Sequence, residues 1–452
     1  MAEPRRVAIV GAGPSGIFAA QALSRQSDIE VAIDLYDRLP TPYGLLRYGV
    51  APDHTSIKGV ADTLARVFES TATRFVGLVE FGTDISRADL LGAYDAVIYA
   101  VGAADDVGMA IPGEELPGSE SARAFVAWYS GHPDAATQDL REVRTAVMVG
   151  VGNVAVDVAR ILSRSADELD ATDMPRAVLA ELRGHRIEDI WVIGRRGPEH
   201  ASFTTHELRE LLALDHVQPI VYEPGLAGID EEGLDRRQHA NLEALRDAAG
   251  RVVEGATRRL HLLFWARPVR IEGADRVEAI VVEGTRLDED GRLVGTGVER
   301  RIPSELVLRA IGYKARPLPG VPFDEGRHVI PHVLGRVTDG AGVVQPREYV
   351  VGWIKRGPTG VIGTNKSDAA ETVAGLLADL AAPPVPLEPV AALWRRLGLR
   401  PTSYEDWARI DAAESALGES YGRARTKIES WSDLLEIARA GRRRDRSSGA
   451  GL

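Results

Sequence analysis

The stretch VAIVGAGPSGIFAA, residues 7–20, decides the fold. Residues 7–10 are a short apolar strand pattern, Gly11-Ala12-Gly13-Pro14-Ser15-Gly16 is a glycine loop, and residues 17–24 carry helical spacing. A second apolar strand, residues 31–36, closes on Asp37. Strand, glycine turn, helix and strand make a βαβ unit. In such a unit Gly11 permits the tight turn, Gly13 lets backbone approach a pyrophosphate, and Gly16 allows close helix–strand packing. Ser15 lies in the same loop and is grouped with these glycines as a binding residue. The helix start offers unpaired N–H groups and a positive dipole end to phosphates. Glycine turns between strand and helix are common in themselves, and it is the acid closing the second strand that favours a nucleotide. Asp37 can accept from ribose hydroxyls there, and Asp34 is the alternative, less well placed in mid-strand.

A second beginning follows at residues 145–149, a strand running into Gly150-Val151-Gly152-Asn153-Val154-Ala155. Alanine in the third glycine place is an accepted variant. The helix behind it shows an apolar face of Val156, Val158, Ala159, Ile161 and Leu162. Its partner strand, residues 189–193, ends in Gly194-Arg195-Arg196-Gly197 and not in a carboxylate. Guanidinium groups there suit the doubly charged 2′-phosphate of NADP and leave no acid for the ribose of NAD. The competing reading is a solvated arginine pair at a strand end. Two dinucleotide folds in one chain imply one resident and one exchanging nucleotide. NADPH gives up two electrons as a hydride, so the expected companion is FAD, which accepts a hydride and releases electrons singly.

Composition bounds the rest. The chain of 452 residues contains no cysteine, which removes disulfides, thiolate-held iron–sulfur clusters and any dithiol relay. No metal site is expected. A net charge of −12, from 54 basic and 66 acidic residues, argues against nucleic acid as a partner. No apolar run approaches the roughly 20 residues of a membrane span, and the charged start MAEPRR runs straight into a strand. The expectation is a cytoplasmic protein, and a monomer.

Between the loops, residues 39–54 (LPTPYGLLRYGVAPDH) are expected to be irregular, residues 55–69 helical, and residues 96–100 a strand ending in Val101-Gly102-Ala103. Residues 165–188 read as a charged helical insertion, and residues 258–312 as strands with the hairpin signal Glu289-Asp290-Gly291. From Glu348 a strand, YVVGWI, is expected, then the loop KRGPTGVIGTNK, then a helix to about residue 380. A Pro-rich linker at 383–389 precedes a helical C-terminal portion, and GRRRDRSSGAGL is expected to be disordered. The fold class is α/β, two Rossmann-like dinucleotide-binding domains with the NADP domain inserted into the FAD domain. The expected limits are residues 1–105 and 321–452 for the FAD part, the latter with a C-terminal helical extension, and 106–320 for the NADP part. The loop Gly357-Pro358-Thr359-Gly360-Val361-Ile362-Gly363 before the last long helix can aim N–H groups and a dipole at the flavin, or can be a plain turn with a helix cap.

Six segments together resemble the adrenodoxin-reductase type of NADPH–ferredoxin reductase, particularly its bacterial members. They are VAIVGAGPSGIFAA, LPTPYGLLRYGVAPDH, YDAVIYAVGA, GNVAVDVARIL, VIGRRGPEHASFTTHELREL and YVVGWIKRGPTGVIGTNKSDA. The resemblance implies FAD contacts at Ala12, Asp37, Leu45, Phe81, Trp353 and Gly360 to Ile362, including Val361. It implies NADP contacts at Val151, Gly152, Asn153, Val154, Arg195, Arg196 and Glu207, with Gly360 facing both cofactors. The family usually has glutamate at the Asp37 position, so the ribose contact here is expected to be longer or water-bridged. Val107 replaces an arginine that some bacterial relatives place near NADP. His54 and Asp157 stand in segments associated with a proton route, and Glu210 is a third catalytic candidate. Each has a plainer reading: His54 orders its loop, Asp157 bonds backbone, Glu210 is a solvated helix charge.

The function this implies is hydride transfer from NADPH to flavin N5, then single-electron transfers to an acidic ferredoxin or a flavodoxin, with a P450 chain as one destination. Lys355, Arg356, Arg195 and Arg209 are the basic residues available for docking. A flavin module feeding a fixed partner enzyme, as in the glutamate synthase small subunit, is disfavoured because those relatives carry cysteine-rich segments. A nucleotide sensor without turnover is the third reading, and a disulfide reductase is excluded by composition.

Overall fold

The computed structural model describes residues 3–26, 29–54, 59–222, 226, 228–360 and 363–448. The near-continuous apolar strands predicted from the sequence assemble as the centres of two sheets, as strands buried on both faces must. In the first sheet Arg5–Val10 lies between Val31–Tyr36 and Ala96–Tyr99, parallel to both. Thr73–Val76 extends one edge and Val344–Val350 pairs in parallel beyond Ala96–Tyr99. Two short antiparallel strands, Arg336–Thr338 and His332–Val333, complete seven. Helices Pro14–Ser24 and Thr364–Leu380 pack together on one face, over a core that includes Ile9, Ile17 and Leu376. A separate core containing Val10, Tyr99 and Leu393 covers the other face.

The second sheet has six parallel strands, in the order Ser119–Ser121, Leu306–Arg309, Thr145–Val149, Asp189–Ile193, Arg258–Leu263, Val217–Val221. Its helical face includes Ala122–Tyr129, Asn153–Ser163 and Arg176–Gly184. The opposite face is covered by an antiparallel meander, Ala266–Glu272, Ala279–Leu287 and Leu293–Pro303. A two-stranded ribbon pairs Asp105–Asp106 with Tyr313–Lys314 where the chain leaves and rejoins the first sheet.

Three local expectations differ. The segment read as one helix over 55–69 is, in its described part, the helix Val60–Ala65 followed by a 3-10 turn, Arg66–Glu69, and residues 55–58 lie outside the described residues. YVVGWI is not one strand: the strand ends at Val350, Gly352 turns the backbone at φ 79°, and Trp353–Arg356 is a single helical turn. The tail does not begin as disorder, because the helix Trp431–Ser448 runs into it, and residues 449–452 lie outside the described residues. Leu434 and Ala438, one turn apart, are buried against the first sheet's core and anchor that helix. Among the described residues no helix is long and apolar enough to cross a membrane.

Candidate active site

Each glycine loop leaves its strand where the strand order reverses. At Gly11, φ is 110°, and a Cβ would stand 2.6 Å from the Ala100 carbonyl oxygen. At Gly150, φ is 132°, and a Cβ would stand 2.3 Å from the Ala310 carbonyl oxygen. The same solution is thus used twice, at the crevice where open α/β sheets bind ligands. Neither following helix, Pro14–Ser24 or Asn153–Ser163, has a side-chain cap, so both present orphan N–H groups to the crevice. Gly16 is locked, with a Cβ position 2.0 Å from the Gly11 carbonyl oxygen, while the same position on Gly13 meets only Gly44 Cα at 4.0 Å. That open space beside bare N–H groups fits a pyrophosphate.

Around the first loop, the Ala12 N–H donates to Asp37 Oδ2 (2.9 Å) and the Leu39 N–H to Asp37 Oδ1 (3.0 Å). Burial pushes the Asp37 carboxyl up, against these two backbone bonds. Each oxygen keeps a lone pair for a ribose hydroxyl. Asp34 is instead committed to Arg74 through two bonds (2.6 and 2.7 Å) and to the Tyr94 hydroxyl (2.7 Å), which decides between the two aspartates. The 39–54 segment crosses the glycine loop, with the Tyr43 N–H donating to the Ala12 carbonyl. Leu45, Phe81 and Trp353 keep exposed surface at this end of the sheet: Leu45 follows Gly44, Phe81 packs edge-on to Tyr99, and Trp353 follows Gly352, which abuts Ser15. Gly360 is exposed at φ 84°, and Val361 and Ile362 lie outside the described residues.

At the second loop Val151, Gly152, Asn153 and Val154 are all partly exposed. Asn153 Oδ1 accepts from the Thr204 N–H (2.8 Å), and Thr204 caps the helix Thr205–Leu212. The glycine loop therefore fixes the helix that carries Glu207 and Glu210. Arg195 and Arg196 are exposed at the end of Asp189–Ile193, and neither guanidinium has an ion pair among the described residues. Val107 is 37% exposed beside Gly312.

His54, from the first fold's loop, reaches the second fold's helices. Its Nε2 lies 3.0 Å from Asp157 Oδ1, 2.8 Å from Glu207 Oε2 and 2.6 Å from Arg160 Nη2. Arg160, wholly buried, also grips Asp53 through two bonds (2.7 and 2.9 Å) and contacts Glu207 at 3.1 Å. Glu210 is peripheral, 4.0 Å from Arg160 and paired with exposed His206 at 3.2 Å. Burial opposes a charge on His54, but its bonds to Asp157 and Glu207 prevail and lift it to about 10. Burial raises Asp157; at Glu207 burial is opposed by the His54 bond together with the charges of His54, Arg160 and His206, which in sum hold that carboxyl low. With its proton, Nε2 serves the two carboxylates; without it, Nε2 can accept from Arg160. The group can hold a proton or give it up without orphaning its neighbours.

His54, Asp157 and Glu207 offer ligand atoms within 4.8 Å of one another, and the Arg160 guanidinium already supplies positive charge among them. Arg160 and Asp53 were missed by sequence reasoning. Their signals were the Asp157–Arg160 i,i+3 spacing and the acid directly before His54. Lys355 is a correction: only 3% exposed and bound to Asp368 (2.8 Å) and Glu371 (3.1 Å), it cannot dock a partner. Arg195 and Arg209 are exposed and Arg356 is half-buried.

Two parallel nucleotide folds, bare helix starts at both crevices and a shared ionised cluster define a two-nucleotide oxidoreductase. Residues 5–191 match the pyridine nucleotide-disulphide oxidoreductase family, whose name describes a disulphide that this cysteine-free chain lacks. The chain is 42% identical over 458 aligned residues to the NADPH-ferredoxin reductase FprA of Mycobacterium tuberculosis, covering 96% of this chain and 99% of that protein. It is 39% identical to human mitochondrial NADPH:adrenodoxin oxidoreductase, covering 96% and 91%. The solved structure of M. tuberculosis FprA in complex with NADPH superposes with a TM-score of 0.90 at 41% identity, covering 96% of this chain and all of that one. The chain belongs to the FprA and adrenodoxin oxidoreductase family of flavin- and NADP-dependent oxidoreductases.

Proposed function

We propose that the protein is an NADPH:ferredoxin oxidoreductase. The observation that carries the reading is the pair of uncapped glycine-loop helix starts, one per sheet, joined by the His54–Arg160 cluster. When bound, FAD supplies the ring that takes hydride from NADPH and passes the electrons on singly. In this reading the Gly11–Gly16 loop and Asp37 hold the FAD pyrophosphate and ribose, and Leu45, Phe81, Trp353 and the 360–362 segment bound the flavin. The Gly150–Val154 loop holds the NADP pyrophosphate, and Arg195 and Arg196 take the 2′-phosphate. Glu207 contacts NADP from a buried position against His54 and Arg160. His54 and Asp157 hold and move a proton at Nε2, with Glu210 at the cluster's edge. We place the division between the nucleotide domains at 105/106 and 320/321, and the working form as a monomer in the cytoplasm.

Anaerobic NADPH addition to the yellow holoenzyme is the test: an oxidoreductase bleaches and a sensor stays yellow. Arg195→Ala with Arg196→Ala is expected to weaken NADPH by roughly 100- to 10,000-fold, because the two charge-assisted bonds contribute about 1.5–3 kcal/mol each, and to leave NADH unchanged. Equal losses for the two nucleotides would remove the 2′-phosphate assignment. Reduction of an acidic ferredoxin is expected to slow as ionic strength rises. A flavodoxin in the same assay tests the second acceptor.

A further inference from the structure

Residues 421–430 connect the helices Tyr404–Glu419 and Trp431–Ser448 and are free of helix and strand. They run along the boundary between the two nucleotide folds and grip both. On the second fold's side, Arg423 pairs with Asp170 (2.6 Å) and bonds the Met174 carbonyl, while Arg176 stacks over Tyr421 at 4.0 Å. Trp431 Nε1 donates to Asp134 (2.7 Å), whose other oxygen pairs with Arg38 of the first fold (2.5 Å). At the centre Lys427 is almost wholly buried. Its Nζ donates to the carbonyls of Arg47 (2.5 Å), in the first fold's 39–54 segment, and Ser130 (3.0 Å), in the second, and lies 3.5 Å from Asp173.

A buried ammonium is tolerated only while paired, and the partners of this one come from both folds, so its full set exists only in one docking angle. The 39–54 segment that it holds at Arg47 also carries Asp53 and His54 into the ionised cluster. We propose that residues 421–431 are a strap setting the angle between the two nucleotide folds, with Lys427 as its positioning residue. The strap thereby fixes how closely the nicotinamide approaches the flavin. This rests on the hydride-transfer reading above.

The test uses Lys427→Met and Arg423→Gln holoenzymes. Both are expected to reduce their flavin with NADPH roughly 10- to 100-fold more slowly, the scale of loss for misplacing reactants by about 1 Å. The long-wavelength charge-transfer absorbance of the nucleotide–flavin pair is expected to weaken. NADPH affinity is expected to hold, since its arginines belong to one fold, and so is the oxidation by ferricyanide of chemically reduced enzyme. A wild-type reduction rate in the variants would overturn the strap. So would equal losses in reduction, NADPH affinity and ferricyanide oxidation, the mark of general damage. If Lys427→Met does not retain flavin, Arg423→Gln decides, because the partners it releases, the Met174 carbonyl and the half-exposed Asp170, leave no buried charge unpaired. If the wild type itself is not bleached by NADPH, the functional reading falls and the strap with it; bleaching of wild type and variants at equal rates sinks the strap alone.

Discussion

His54 has a partner for Nε2 in either protonation state, and this makes its titration measurable. Its folded value stands near 10 against 6.5 for a free imidazole. A raised value contributes stability that is complete below about pH 6.5 and is lost as the pH climbs through about 10. Wild type is therefore expected to lose stability across that window more steeply than His54→Gln, by at most roughly 1.4 kcal/mol per pH unit. Chemical denaturation of both proteins at several pH values checks this, and parallel curves would contradict it. At this scale Asp37 was readable as the acid closing its strand, and His54 and Asp157 only through the family resemblance; their meeting in one cluster comes from the fold. Arg160 was not, since an arginine among Val158, Ala159, Ile161 and Leu162 looks like a helix charge until the fold brings Asp53 and Glu207 to it. Lys427 lies in no pattern at all, and only packing reveals it.

Among the elements, the helix Tyr404–Glu419 is held to the nucleotide folds by charge as well as by apolar packing. Glu414 is fully buried, takes two bonds from Arg47 (2.9 and 2.5 Å) and one from Arg425 (3.0 Å), and Arg47 lies 4.9 Å from the rings of both Tyr48 and Trp407. Breaking a buried pair by removing one partner leaves an uncompensated charge and costs about 3–5 kcal/mol. Glu414→Gln is expected to lose that order of stability in denaturant unfolding; a change below 1 kcal/mol would mean that water replaces the pair. The strands read at 7–10, 31–36, 96–100, 145–149 and 189–193 were legible from apolar periodicity to within two residues at their ends, whereas the first glycine-loop helix starts three residues earlier than expected and Thr73–Val76 and Val217–Val221 were not read. The helix running into the arginine-rich tail was not, because composition there argues for solvent while Leu434 and Ala438 argue for a docked helix. The YVVGWI break was also hidden, since its apolar residues serve a strand and a helical turn equally well.

In the whole molecule, the order of two nucleotide folds, one interrupting the other, was readable because each announces itself with its own strand, glycine loop and helix. The C-terminal strap was not readable, since it depends on contacts between segments far apart in the chain. Nor was the fate of Lys355, whose acidic partners come from the next helix. The interruption also has a meaning in time. Ala96–Tyr99 emerges from the ribosome early, yet one of its two neighbours, Val344–Val350, is made only after the entire second sheet. At ~5–20 residues per second this leaves the flavin sheet open-edged for tens of seconds. The inserted fold, complete by Arg309, can close first. Nascent chains stalled beyond Arg309 but before Val344 are expected to show a protease-resistant second fold and a digestible first one, and simultaneous protection of both would refute that order. Loading of the flavin then belongs to the finished chain: the protein is born able to grip its travelling nucleotide before it can keep its resident one.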